Sequence, residues 1–372
     1  MPSAHAEPLT RLRITGNEQP HLAWSEGTEV SVPAGALPSL APGIARDGTL
    51  HVLAGMTVEP ALAGALRLRA AYTPPPTSAR LPISYRSVPG PLRRTLARAL
   101  GRVQRGRVSQ WAKFPGWPLD LSADFLADLA SPARRLGGIT PVVLSHDIDS
   151  EDGLRNLVSR FLPLEEAVSA TSTNFIVPAA WPLDHGLLAE TKQRGHELGI
   201  HGYDHSNRTP FTDTATRRRR LATGRELANR YQMTGYRAPS LARSAELLAE
   251  LAGLYEYDSS IPTSGGLFPV PNNGCATARP FRLGGLVELP LSMPRDGSLQ
   301  FLGYRPQAIL DLWTACASRI ADAGGVVVLL THCENHFSGQ APMLNVYRQF
   351  LEWVAADGRF SWSTAAGAAA IT

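Results

Sequence analysis

Lysine is almost absent from this chain of 372 residues. Only Lys113 and Lys192 occur, so the 36 cationic side chains are nearly all arginine. They face 32 carboxylates, and a surplus of +4 over this length gives no charge argument for a nucleic-acid partner. Cysteine is scarce as well. Cys275, Cys316 and Cys333 are odd in number and contain no Cys-x-x-Cys pair, which argues against a disulfide framework and a thiolate zinc site. Long apolar runs are missing; the longest toward the C-terminus, residues 326–330, is far too short to span a bilayer. The first thirty residues lack a basic start followed by an apolar stretch, so no secretory signal is expected. These absences predict a protein without transmembrane segments in a reducing, cytoplasmic compartment, with the inner membrane face as a possible station.

What is present is the composition of a folded enzyme-sized chain: 44% apolar and 18% charged residues, with 33 glycines and 30 prolines supplying loops. The length suggests two or three domains. Up to about residue 135, short alternating segments such as residues 11–14 and 29–32 are separated by Gly and Pro, a pattern of small β-hairpins. Residues 91–103 have helical spacing and four arginines, which reads either as a solvated helix face or as a contact for a membrane surface or anionic ligand. From about residue 139 the pattern changes. Apolar runs at residues 140–144, 174–177, 198–200, 286–289 and 326–330 read as buried strands. Helical patterns at residues 154–168, 187–194, 214–231, 308–323 and 342–355 lie between and after them. Such alternation predicts an α/β fold with a parallel sheet, closing like a barrel of seven or eight units. The expected division is a β-rich accessory region, 1–135, and a barrel, 136–372.

In barrels of this kind chemistry gathers at the C-terminal ends of the strands, and polar clusters stand there. Ser145-His146-Asp147-Ile148-Asp149 follows the first apolar run, and period 2 points Asp147 and Asp149 to one face. Two carboxylates there repel unless a cation lies between them; the bland alternative is a pair of loop aspartates capping the next helix. In the stretch from Gly195 to His205, His201 and His205 are four residues apart, a spacing that brings two imidazoles to one ion if the segment forms a helical turn. The bland alternative is one buried and one surface histidine. His196 reads as structural. Gly235-Tyr236-Arg237-Ala238-Pro239-Ser240, Tyr257-Asp258-Ser259-Ser260 and Leu329-Leu330-Thr331-His332 end three more strands. Each is weak alone, but five clusters at one edge point to an active site. No Gly-x-Ser-x-Gly elbow frames Ser145 or Ser240, so a serine nucleophile is disfavoured. Arg217 to Arg220 read as a solvated face, and Trp181 as either a sugar-stacking or a buried ring.

In their order, these motifs resemble the polysaccharide deacetylase family with the NodB homology domain (carbohydrate esterase family 4-like), over roughly residues 139–365. The resemblance implies a distorted (β/α) barrel holding one divalent ion, zinc first, with cobalt or nickel as alternatives. By position it implies Asp149, His201 and His205 as metal ligands and Asp147 as general base steadied by Arg237. His332 becomes the general acid, oriented by Asp258. Ile148 separates two aspartates that many family members carry side by side, which leaves the base and ligand roles of Asp147 and Asp149 interchangeable.

The expected activity is hydrolysis of an N-acyl group, most simply acetyl, from an amino sugar of a polysaccharide or a lipid-linked or soluble glycan precursor. The alternatives are a deformylase or cyclic-amide hydrolase with the same machinery, or a carbohydrate-binding relative without catalysis. No nucleic-acid partner is expected.

Overall fold

The strand β1 (Thr140–Ile148) organises the rest of the molecule. It is buried along nearly its whole length, as a parallel strand covered on both faces must be. The computed structural model describes residues 88–112, 115–124, 138–266 and 274–371, together with residue 75 and the backbone of five short strands before residue 54. Beyond β1 the large sheet contains β2 (Ser172–Ile176), β3 (Glu197–Ile200), β4 (Gly235–Tyr236), β5 (Tyr257–Asp258), β6 (Phe281–Leu283), β7 (Leu286–Glu288), β8 (Val327–His332) and β9 (Phe360–Trp362). Their order is β6-β7-β5-β4-β3-β2-β1-β8, with β9 also beside β1. Only the β6–β7 pair is antiparallel, so eight strands run parallel.

This is the expected α/β architecture, curled into a half-barrel rather than closed by a last strand pair. Ser292, in the stretch after β7, bridges the gap to β8. Its hydroxyl donates to the Val326 carbonyl at 2.7 Å and accepts from the Val328 N–H at 2.8 Å. The Met293 N–H donates to the Val328 carbonyl at 3.1 Å.

Strand alternation divides the apolar residues between two clusters. Val142, Leu144, Val327 and Leu329 face the outer helices, while Val143, Val328 and Leu330 fill the interior with Phe175, Tyr257 and Leu289. Three of the helices that follow strands start on side-chain caps of the expected residue types. Ser150 accepts from the Gly153 N–H, Asp184 from Gly186 and Leu187, and Asp213 from Thr216. The helix expected over 154–168 is instead three pieces, Glu151–Asn156, a π turn Leu157–Phe161, and Leu162–Glu166. Pro163 has no N–H to continue the ladder, and the wider turn lies just before it.

Before residue 54 the strands Pro8–Thr15, His21–Trp24, Glu29–Ser31, Ile44–Arg46 and Thr49–Leu53 form an antiparallel sheet. The expected boundary at 135/136 lies outside the described residues. Upstream of it, residues 88–112 and 115–124 are built onto the barrel. The Asp124 carboxylate accepts from the Ala278 N–H at 2.8 Å, and the helix α1 (Gly90–Gln104) brings Gly101 against Phe301. Phe301 ends α2 (Asp296–Phe301), a short helix beside the site. A Cβ on Gly101 would meet the Phe301 carbonyl oxygen at 2.1 Å, so only glycine allows this approach.

Candidate active site

At the C-terminal edge of the sheet, β1 delivers Asp147 and Asp149, and β3 delivers His201 immediately beyond its last residue. The His201 Nδ1–H donates to the Arg237 carbonyl at 3.0 Å, which fixes the tautomer and aims Nε2 at the carboxylates. His205 arrives by a different route from the one its spacing suggests. The segment after β3 is a loop, not a helical turn, and residues Gly202, His205 and Asn207 all have positive φ, 65°, 56° and 62°. Gly202 is obligatory there, since a Cβ would lie 2.3 Å from Pro239 Cδ. The loop is pinned by Asp204, which accepts from the Ser206 N–H at 3.0 Å and pairs with Arg220 at 3.5 Å.

Asp149 Oδ1 stands 3.2 Å from His205 Nε2 and 3.5 Å from His201 Nε2. Ligand atoms of all three residues lie within 4.8 Å of one another. A tetrahedral zinc site with bonds of about 2.0–2.1 Å has ligand–ligand edges of about 3.3 Å, so the observed spacing fits a shared ion. A second observation agrees. Asp149 Oδ1 and His201 Nε2 are buried without a hydrogen-bond partner, a costly arrangement that a cation would resolve. Burial alone would raise the Asp149 carboxyl; His205, His201 and His332 outweigh it and hold the group well below the usual carboxylate range. Burial lowers His201 and keeps it a neutral imidazole, the form that ligates.

Asp147 has a different environment. The buried Arg237 guanidinium donates to its Oδ1 at 3.1 Å and to the Ser145 hydroxyl at 2.9 Å, and two further bonds reach the Ser259 carbonyl and hydroxyl at 3.0 and 2.9 Å. The same guanidinium lies over the Phe175 ring at 4.2 Å. Four of the five N–H groups of the arginine are thus engaged, and Asp147 is held with Oδ2 3.5 Å from His201 Nε2.

The structure corrects the partner of His332. Asp258 does not reach it. That carboxylate accepts from the Ser260 hydroxyl at 2.7 Å and sits beside Glu288, its register partner on β7. Burial raises both acids, Glu288 well above its ordinary value with Asp258 adding to the effect, which marks the pair as part of the core. The partner of His332 is Asp296, whose Oδ1 meets Nδ1 at 2.8 Å and whose Oδ2 accepts from the His332 N–H at 2.9 Å and the Ser338 hydroxyl at 2.7 Å. Burial works against the imidazolium, yet Asp296 raises His332 to about 9. Asp258→Asn is therefore expected to lower the melting temperature while leaving any pH profile of activity in place, measured by thermal unfolding beside a rate–pH curve.

Glu334, in the loop after His332, also supports the site. Its Oε1 accepts from the Asp149 N–H at 3.0 Å and the Ser150 hydroxyl at 2.9 Å, fixing the backbone that carries Asp149. Gly153 leaves room for it, since a Cβ there would lie 2.2 Å from the carboxylate. The only signal was its position two residues beyond the strand-end histidine. His196 is structural as expected, its Nδ1 accepting from the Ser172 N–H at 3.0 Å. His146 points to the opposite face from Asp147 and bonds Glu165 at 2.8 Å. The arginine run is not a uniform solvated face: Arg217 is buried on Glu250 and Arg220 braces the histidine loop, while Arg218 is exposed. Trp181 is half-buried against the outer core. All three cysteines are buried and free.

Neither a family model nor a curated protein matches the sequence. Among solved structures, one from Mycobacterium smegmatis assigned by name to the polysaccharide deacetylases aligns with a TM-score of 0.53 at 23% identity, covering 63% of this chain and 90% of that one. Peptidoglycan deacetylase PdaC from Bacillus subtilis aligns with a TM-score of 0.41 at 12% identity, covering 61% and 89%. The chitin deacetylase of the fungal pathogen Colletotrichum lindemuthianum gives 0.41 and 15%, covering 61% and 86%. The first of these likenesses establishes the fold, a curled (β/α) half-barrel of the NodB kind.

Proposed function

We propose that this protein is a metal-dependent amide hydrolase that removes an N-acyl group, most simply acetyl, from an amino sugar of a polysaccharide or glycan precursor. One observation carries the reading: a cation-ready Asp149–His201–His205 group is flanked by a braced carboxylate, Asp147, and by a charged imidazole, His332. A divalent ion held by those three residues, zinc first and cobalt or nickel next, would supply Lewis-acid polarisation of the acyl oxygen and acidify water.

The chain's own groups do the rest. Asp147, immobilised by Arg237, takes the proton of the attacking water as general base. His332 gives its Nε2 proton to the departing nitrogen, with Asp296 holding the ring and its charge. Two contacts support these roles in that order: Arg237 braces Asp147, and His205 reaches Asp149, while His201 stands 3.5 Å from both carboxylates.

A carbohydrate would find aromatic surface near this group. A shallow pocket is lined by Trp111, Trp117, Leu241, Met293 and Leu299, with Arg295 close enough to feel the charge of Asp147. Trp111 and Trp117 stand edge to face at 6.3 Å, and flat aromatic surfaces suit the apolar faces of sugar rings. Trp117→Ala is expected to raise KM for an N-acetylglucosamine oligomer about tenfold with kcat little changed, as loss of uniform binding does.

The deciding test is amine release from N-acetylglucosamine oligomers by purified protein, with metal content measured on the same sample. Metal-loaded protein that releases no amine from acetylated or formylated sugars but opens cyclic amides would transfer the machinery to the other substrate class.

A further inference from the structure

We infer that the exposed face of α1 docks on an anionic lipid bilayer. The inference is independent of the reaction proposed above, because it rests on a surface rather than on the catalytic group.

Leu92, Leu96, Leu100 and Val103 occupy positions i, i+4, i+8 and i+11 of the helix and form one stripe about 16 Å long, at 1.5 Å per residue. They are 51%, 59%, 47% and 70% exposed, and four of the six exposed large apolar residues among those described belong to this helix. The helix binds the barrel through another face, with Ala97, Gly101 and Gln104 buried, so the stripe takes no part in holding it there.

Charge selects the occupant. Residues 88–110 contain six arginines and no acidic residue, a local +6 that exceeds the +4 of the whole chain. Arg98 and Arg102 are exposed along one flank of the stripe and Arg107 lies just beyond the helix. A second copy of the chain would bring six like charges against six in a two-fold contact. Nucleic acid would satisfy the arginines but leave the leucines in water, and the helix carries no aromatic residue for base stacking. An anionic bilayer surface satisfies both, with the stripe in the headgroup boundary and the guanidiniums on phosphates. The helix cannot cross the bilayer: no described helix is long and apolar enough.

The position of α1 gives the contact a consequence. Arg94 lies near His336, whose ring is tilted against Phe337 with centroids 4.4 Å apart; Phe337 in turn lies 4.7 Å from the His332 ring. Docking through α1 therefore sets the mouth of the catalytic group beside the lipid surface, where a membrane-held glycan would present its sugar.

Co-sedimentation of the full chain with vesicles tests this, using phosphatidylcholine alone against phosphatidylcholine with one-third phosphatidylglycerol. The expected result is preferential binding to the anionic vesicles, weakened by added salt. Leu96→Asp with Val103→Asp should lower it by roughly tenfold per residue, and Arg98→Glu with Arg102→Glu by at least about fivefold per residue. Both are surface changes, and unaltered circular dichroism and metal content would show that the variants fold. Equal or absent binding to the two compositions overturns the inference, as does binding that the aspartate variant leaves intact. Dimer-to-monomer conversion by that variant, without vesicle binding in the parent, would assign the stripe to a second copy. Duplex DNA binding without vesicle binding would assign the arginines to nucleic acid.

Discussion

His201→Ala is expected to release the divalent ion and to lower amide hydrolysis by about 10³-fold, some 4 kcal/mol of barrier. The expectation follows from geometry. His201 supplies a buried Nε2 with no hydrogen-bond partner, 3.5 Å from Asp149 Oδ1, while its Nδ1 is already committed to the Arg237 carbonyl. Alanine removes a ligand, and loss of the ion would leave Asp149 and Asp147 at one edge without the positive charge between them, which disfavours their joint ionisation. The backbone at this position keeps its own anchor, since the residue 201 N–H donates to the Ile176 carbonyl at 2.8 Å, so the barrel should persist. Metal analysis and amine release are read on the same preparation, with circular dichroism as the folding control. Chelation of the wild type should reproduce the loss, and added zinc should restore the wild type but not the variant. A variant that keeps one ion per chain and unchanged turnover would break the proposed catalytic group.

The parts of this site that were legible in sequence are those fixed by local chain. Asp147 and Asp149 follow from the period of β1, His332 from the end of the most apolar run, and Arg237 from the Pro-fixed turn after β4. The convergence of His201 and His205 was readable from their spacing, but not its route. A helical turn and a left-handed loop both bring i and i+4 together, and only the clash at Gly202 with Pro239 shows which one the chain takes. What could not be read is contact across the sheet. His332 and Asp296 are 36 residues apart and meet because the stretch after β7 curls back along β8 through Ser292. The family resemblance instead suggested Asp258, another strand-end aspartate, whose register turns it to Glu288. Arg217 and Arg220 show the same limit, since a run of four arginines says nothing about Glu250 or Asp204 waiting on other elements.

The Asp296–His332 pair gives the second large effect, in the pH dependence of kcat/KM. His332 is raised to about 9, burial opposing the charge and Asp296 overcoming it. As general acid it must carry a proton, so the rate should hold through neutral pH and fall as pH rises through about 9. The ordinary value of a histidine is about 6.5, so the folded group binds its proton more tightly than the unfolded one. Its contribution to stability is fully present below about 6.5 and is lost as pH rises through about 9. Asp296→Asn removes the charge that does this, and the alkaline limb should move toward the ordinary histidine value, with activity near pH 8 falling about 10–100-fold. His332→Ala should cost about 10²–10⁴-fold on an ordinary N-acetyl sugar and far less on an activated amide whose amine leaves without a proton. That contrast separates acid catalysis from structural damage, because a disordered site would lose both substrates alike. An unmoved limb in Asp296→Asn would mean that His332 does not set it, and the proton for the leaving nitrogen would then have to come from another group.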